Sequence, residues 1–187
     1  MDAQLLEGGF ANAPVDAAHA FRAAMNAMAR PGRIEAIAGG QGPAPMSAAA
    51  ATLILTLCDP ETPLHLAGSL DNEAVRAWIT FHTGAPLVGA GEAVFALGHW
   101  DDLMPIDRFA IGTSEYPDRS ATLIVECDDL RAEGTQLRGP GIKDVAALNL
   151  PDPGVFRTNH GLFPLGRDFF FTSGSDLAAL PRSTEVI

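Results

Sequence analysis

The segment FFFTSGSDLAAL, residues 169–180, carries the clearest signal for the fold. Two apolar runs, residues 169–172 and 177–180, flank a polar turn at residues 173–176, whose glycine can adopt a positive φ angle. This pattern predicts a β-hairpin near the end of the chain. Because strands and helices alternate upstream of it, the hairpin favours an α/β fold with a mixed sheet that is covered by helices.

The strands expected beside this hairpin lie upstream. Apolar runs at residues 93–97 and 121–127 predict buried strands, with a polar loop between them at residues 101–120. Shorter strands are predicted at residues 33–37, 63–67 and 136–138. Residues 143–160 are predicted to be helical or irregular.

An amphipathic helix is predicted near the start of the chain. It opens at Pro14 and Asp16 and stops at Arg30-Pro31-Gly32. Its apolar side consists of Ala17, Ala20, Phe21, Ala24, Met25 and Met28.

Two further helices follow in the first half. Ser47 is predicted to cap the second helix, which is apolar on nearly every side over residues 48–57. The third is predicted to start at Asp71 or Asn72 and to end at Gly84. Its inner stripe consists of Val75, Trp78 and Ile79.

Length and composition predict one domain, residues 1–187. The chain is 47% hydrophobic, enough for one core. No run approaches the roughly 20 apolar residues of a membrane span. Residues 1–10 carry acids where an export signal would carry basic residues, so a cytoplasmic location is expected.

The charge balance argues against two kinds of partner. The chain has 12 Lys plus Arg against 23 Asp plus Glu, a net charge of -11. Nucleic acids and anionic membranes bind through clustered cations, so neither is expected as a partner. Lys143 is the only lysine, which removes most options for Schiff-base chemistry. Cys58 and Cys127 have no CxxC spacing and are predicted to be buried, reduced thiols.

Three segments supply candidate ligand-binding residues. His82 and Thr83 end the third helix, where the helix dipole favours a charged imidazole and the side chain can reach a cleft. Gly139 and Gly141 form a turn that could present backbone N–H groups to an anion. Arg182, followed by Ser183 and Thr184, could hold a phosphate or phosphonate.

Each segment also has a structural interpretation. His82 could bond a carbonyl at the helix end, the glycines could form a plain tight turn, and Arg182 could make a surface ion pair. The histidine spacing matches no metal-ligand pattern, so no metal site is predicted, and no catalytic residue is assigned.

Seven strings stand in a characteristic order along the chain. They are Asp16-Ala-Ala-His-Ala-Phe-Arg, Arg30-Pro-Gly, residues 52–59, Phe81-His-Thr-Gly-Ala-Pro, Leu137-Arg-Gly-Pro-Gly-Ile, Phe163-Pro-Leu-Gly and Pro181-Arg-Ser-Thr. In this order and spacing the chain resembles the H subunit of the bacterial carbon-phosphorus lyase system, which makes phosphonates available as a source of phosphorus.

The resemblance implies a fold and the absence of a cofactor. The expected fold is a three-layer αβα arrangement with a mixed sheet, similar to the large domain of pyridoxal-phosphate-dependent transferases but without their cofactor site. Lys143 follows the glycine turn in a polar stretch, where no phosphate-binding loop can be assigned around it. No cofactor is therefore expected.

The resemblance also implies partners. Such subunits act with the G and I subunits to form ribose 1-phosphonate 5-triphosphate from ATP and a phosphonate, and the radical iron-sulfur J subunit then cleaves the carbon-phosphorus bond. Alone they form homodimers. The favoured hypothesis is a structural, assembly role in that synthase complex, without catalysis by this chain alone. The alternative is a subunit that itself binds nucleotide or phosphonate through His82, Arg182 and the Gly139 turn.

Overall fold

The computed structural model describes residues 7–187. Residues 1–6, which include part of the acidic N-terminal segment considered above, lie outside the described residues. The helices within the described range are α1 (Ala13–Ala29), α2 (Ala48–Leu57), α3 (Glu73–Thr83), α4 (Trp100–Leu103) and α5 (Pro153–His160). In this range no helix combines the length and the apolar character needed to cross a membrane.

The strands form two sheets. They are β1 (Glu35–Ala36), β2 (Leu64–Leu66), β3 (Phe95–His99), β4 (Thr122–Glu126), β5 (Thr135–Arg138), β6 (Ala146–Leu148), β7 (Asp168–Ser173), β8 (Asp176–Leu180) and β9 (Glu185–Val186). The six-stranded sheet has the order β1-β8-β7-β4-β3-β2, and the three-stranded sheet has the order β6-β5-β9.

The larger sheet is mixed, as predicted. Strands β2, β3, β4 and β7 run parallel, while β8 pairs antiparallel with β7 and β1 pairs antiparallel with β8. The predicted hairpin is confirmed: Phe169 pairs with Leu180 and Ser173 pairs with Asp176. Gly174 in the turn has a φ of 57°, a conformation in which glycine carries no steric cost.

Side-chain alternation along the strands separates two cores. On β4, Ile124 faces the core formed with α1, α2 and α3, whereas Leu123 and Val125 face the core on the opposite side. That second core is closed by α4, α5 and the three-stranded sheet. The sheet is thus covered on both faces, but one outer layer is itself partly β-structure, because the connection from β4 to β7 contains strands β5 and β6 as well as helix α5.

The predicted limits of α2 and α3 are confirmed. The Ser47 side chain accepts a hydrogen bond from the Ala50 N–H, and the Asn72 side chain accepts one from the Val75 N–H. Gly84 ends α3 in the left-handed conformation at a φ of 68°. These boundaries depend on local chemistry, which the sequence displays directly.

The predicted burial of α1 is wrong in one respect. Phe21 is 48% exposed and Met25 is 52% exposed, although both belong to the apolar side of the helix. The buried stripe consists of three alanines, of which Ala20 and Ala24 belong to the predicted apolar side and Ala27 does not. Because α1 packs against the alanine-rich start of α2 and against β8, only small side chains fit between these elements.

Two other predicted segments are more ordered than expected. The segment predicted as a loop at 101–120 begins within helix α4, which extends to Leu103, and its Phe109 side chain is buried in the second core. The region at 143–160 contains strand β6 before helix α5. Strand β9 was not predicted at all. All three depend on packing against distant parts of the chain, which local periodicity does not report.

Candidate functional site

The Gly139-Pro140-Gly141 turn joins two other segments of the chain. Gly141 has a φ of 81°, and a Cβ atom there would lie 1.8 Å from the carbonyl oxygen of Ala29, at the end of α1. Gly139 has a φ of 132°, and its Cβ would lie 3.2 Å from the carbonyl oxygen of Ser183. The turn therefore needs glycine because backbone from both sides approaches it closely.

A cleft of about 750 Å³ opens beside Gly141. We call it the cationic cleft, because it is lined by Arg30, Arg33 and Lys143. One wall follows the end of α1 and the other comes from the segment around β6. At Gly32, a Cβ would lie 2.7 Å from the Cβ of Ala146, so glycine lets these walls meet.

The charges in the cationic cleft are only partly balanced. Arg33 Nε pairs with Glu35 Oε1 at 2.7 Å. Among residues 7–187, no carboxylate lies within 4.0 Å of the Arg30 guanidinium or the Lys143 ammonium. Asp144 lies on the same lining. With a surplus of basic groups, the cleft can attract an anion such as a phosphate, despite the negative charge of the whole chain.

Arg182 lies outside the cationic cleft, where it connects separate segments of the chain through hydrogen bonds. Its Nε donates to Asp168 Oδ1 at 3.1 Å, and its Nη1 donates to the Pro117 carbonyl oxygen at 2.7 Å. Its Nη2 group bonds Ser120 Oγ and Asp168 Oδ2. Four of its five N–H donors are thus engaged within the chain, so the arginine is held in place by the fold.

His82 and Thr83 lie at the predicted end of α3. The His82 ring lies 4.7 Å from the Trp78 ring, centroid to centroid, and a Cβ at Gly9 would lie 2.6 Å from that imidazole. The Trp78 indole donates to the Glu7 carbonyl oxygen at 2.8 Å, so the segment before α1 covers this helix end. Thr83 Oγ1 donates to the Ile79 carbonyl oxygen at 2.8 Å.

The structure brings together only some of the predicted ligand-binding residues. Gly141 lines the cationic cleft, and Gly139 packs beside Ser183, the neighbour of Arg182. The side chains of His82, Thr83 and Arg182 do not line that cleft.

The three basic residues of the cleft are not among the ligand-binding residues predicted from the sequence. Two signals were available: Arg30 stands in a Pro-Gly stop, and Lys143 follows the glycine turn. Neither signal indicates that the turn after α1 and the glycine turn lie next to each other in the fold.

A buried carboxylate lies at the carboxyl end of the parallel strands. Glu126 Oε1 accepts the Ser47 N–H at 2.6 Å, and its Oε2 accepts the Thr172 hydroxyl at 3.0 Å. Burial raises the pKa of Glu126 above its ordinary value, although these hydrogen bonds and the nearby His99 oppose the shift. Ligands commonly bind at this edge of a parallel sheet.

A smaller cavity of about 360 Å³ opens beside Glu126, with His99, Cys127 and Asp128 on its lining. In the described part of the chain, no group of three or more His, Cys, Asp or Glu side chains has an arrangement that could hold a metal ion.

Fold and cleft together define a small mixed α/β protein with an anion-attracting cleft. Residues 8–187 match the family described as bacterial phosphonate metabolism protein (PhnH), and the chain belongs to that family. It is 39% identical over 194 residues to alpha-D-ribose 1-methylphosphonate 5-triphosphate synthase subunit PhnH of Rhizobium meliloti (strain 1021), covering 98% of this chain and 96% of the relative. It is 30% identical over 197 residues to putative C-P lyase subunit protein HtxG of Stutzerimonas stutzeri, covering 96% and 95%. The resemblance seen in the motifs is confirmed.

Proposed function

We propose that this protein is a subunit of alpha-D-ribose 1-methylphosphonate 5-triphosphate synthase, in a carbon-phosphorus lyase complex of the cytoplasm. The observation that carries the proposal is the 39% identity to a synthase subunit over nearly the whole length of both chains. The role is structural: the chain assembles with the G, I and J subunits and forms a homodimer when they are absent. The synthase then requires this chain for assembly, and the other subunits supply the groups that react with the substrates.

An exposed apolar face supports the assembly role. Phe21 and Met25 lie one turn apart on α1, and each leaves about half of its surface exposed in the single chain. Ala18 lies beside them on the same exposed face. Two large apolar side chains on one helix face are typical of a surface that a partner covers.

The assembly role is tested with the double variant Phe21→Ser/Met25→Ser, co-expressed with the G, I and J subunits. We expect the variant to fold and to be absent from the purified complex, because the contact loses its apolar surface. The control is His19→Ser/Arg22→Ser, which changes two exposed polar residues of the same helix outside the apolar face. Normal recovery of the Phe21/Met25 variant in the complex would contradict this use of α1.

A second candidate function is supported by the cationic cleft. Arg30 and Lys143 have no carboxylate partner within 4.0 Å among the described residues, so they can contact the triphosphate or the phosphonate of the reaction. Under this alternative, Arg182 positions the segment next to Gly139 rather than binding the ligand, because four of its donors are occupied.

The cleft is tested with Arg30→Gln/Lys143→Gln in the assembled complex. If the cleft holds substrate, the complex forms normally but the KM for ATP or for methylphosphonate rises at least tenfold. Arg76→Gln/Arg131→Gln, which removes two exposed arginines outside the cleft, is the charge-matched control. Unchanged kinetics for both variants would contradict substrate binding in the cleft, and the assembly role would then be the remaining function.

The proposal includes a fold like the large domain of pyridoxal-phosphate-dependent transferases, in a chain that does not use the cofactor. Lys143 is exposed at the rim of the cleft, next to Asp144. An absorbance scan of the purified protein mixed with pyridoxal phosphate tests this part. A Schiff-base band that the Lys143→Gln variant loses would contradict it.

A further inference from the structure

A second cavity lies under the loop that follows α4. Its volume is about 910 Å³, within the usual size range of small-molecule sites. The loop forms one wall, and α5 with the residues after it forms the other. The walls are mainly apolar, with Met104, Pro105, Ile106, Phe109, Val155 and Leu162 among the lining residues.

The cavity contains a buried cation. Arg167 lines it and is only 5% exposed. Its Nε and Nη2 both donate to the Phe109 carbonyl oxygen, at 3.0 and 2.6 Å. Its backbone N–H and carbonyl oxygen are bonded by the Asn159 side chain, at 2.9 and 2.8 Å. The guanidinium is therefore held at a fixed position.

One edge of this guanidinium has no partner among the described residues. Within residues 7–187, Nη1 of Arg167 has no protein acceptor, and no carboxylate lies within 4.0 Å of the guanidinium. Burial lowers the pKa of Arg167, which the charge of Asp107 only partly opposes. A buried cation without a direct counter-ion is costly, so an anion that enters the cavity would relieve that cost.

The charges around the cavity favour a single negative charge on the ligand. Asp107 and Asp152 also line it. Asp152 accepts the backbone N–H groups of Gly154 and Val155 at the start of α5, which disperses its charge. A doubly charged phosphate or phosphonate would meet one cation and two acids. A monocarboxylate would meet the arginine in the paired geometry that guanidinium and carboxylate prefer.

We propose that this cavity binds a small monocarboxylic acid with an apolar body. The carboxylate pairs with the open Nη1 edge of Arg167, and the body lies against the apolar wall. Asp107 and Asp152 discriminate against doubly charged ligands by repulsion. The site does not depend on the synthase role, and it is separate from the cationic cleft.

The test uses phenylacetate as the probe, titrated calorimetrically into the purified chain. Phenylacetamide is the neutral control, and inorganic phosphate and methylphosphonate are the dianion controls, in a buffer alkaline enough that both are doubly ionised. We expect phenylacetate to bind at least tenfold more tightly than each of these, because only it brings one charge and an apolar ring. Equal affinity of the acid and the amide, tighter binding of methylphosphonate, or absence of phenylacetate binding would overturn the proposal.

Two variants assign the binding to the cavity. Arg167→Gln should lose at least tenfold in phenylacetate affinity, whereas Arg22→Gln, an exposed arginine on α1, should lose none. Because Arg167 also bonds the Phe109 carbonyl, its loss could unfold the chain. Val155→Trp therefore fills the cavity with the arginine retained, and it should also abolish binding. Full affinity in the folded Val155→Trp variant would overturn the proposal.

Discussion

Replacing Arg182 with alanine is expected to destabilise the fold by about 3 kcal/mol, before it affects any ligand. The Arg182 side chain is 13% exposed and that of Asp168 is 23% exposed. Removing one member of a buried ion pair costs about 3–5 kcal/mol, because the other charge is left without a partner. Asp168 keeps some contact with water, which reduces the cost, but the bonds to Pro117 and Ser120 are lost as well.

Thermal and urea unfolding of the isolated chain measure this loss. For a domain of this size, about 3 kcal/mol lowers the Tm by about 6–12 °C. A double-mutant cycle with Asp168→Ala should give a coupling of about 1–3 kcal/mol, since the two side chains touch. Arg22→Ala, at an exposed position, should stay within about 0.5 kcal/mol of the parent. If the Arg182→Ala protein keeps the Tm of the parent but the synthase that contains it is defective, the structural role would be refuted. Arg182 would then be assigned to ligand binding.

Three further predictions concern a glycine at a close backbone contact, a buried carboxylate and the two cysteine thiols. Gly141→Val should lower the Tm strongly, because its Cβ would strike the Ala29 carbonyl, whereas Gly89→Ala, with open space around it, should not. Burial raises the pKa of Glu126, so the folded state holds this proton more tightly than the unfolded chain does. Its contribution to stability is therefore lost as the pH rises from the ordinary pKa of 4.5 through the raised one, and urea titrations should show a flatter pH profile for Glu126→Gln. Burial raises the pKa of Cys58 and of Cys127 to about 12, so a thiol reagent at neutral pH should label both slowly until urea unfolds the chain; fast labelling of the native protein would contradict this.

The features that could be predicted from sequence are those with local causes. Ser47 marks a helix start because its side chain accepts a hydrogen bond from a free backbone N–H of the first turn. Gly84 marks a helix end because glycine adopts the left-handed conformation that ends the helix. The hairpin at 169–180 was readable because two apolar runs flank a short polar turn. In each case the informative residues lie within a few positions of one another.

The features that could not be predicted depend on contacts between distant segments. Phe21 and Met25 match the apolar period of α1, but the close approach of α2 leaves room only for alanine. The cationic cleft joins residues 30–33 to residues 141–147, more than a hundred positions along the chain. The sequence predicts that Arg182 can bind an anion, but in the fold its guanidinium pairs with Asp168, which lies 14 positions earlier in the chain.

Under the proposed function, this chain is a required subunit of the synthase. The most direct test expresses the G, I and J subunits with and without a tagged form of this chain, and then follows the conversion of ATP and methylphosphonate by phosphorus NMR. We predict that the tagged chain retains the other subunits through purification and that omitting it abolishes formation of the ribose 1-methylphosphonate triphosphate. Undiminished synthesis without this chain, together with recovery of the tagged chain alone, would contradict the claim.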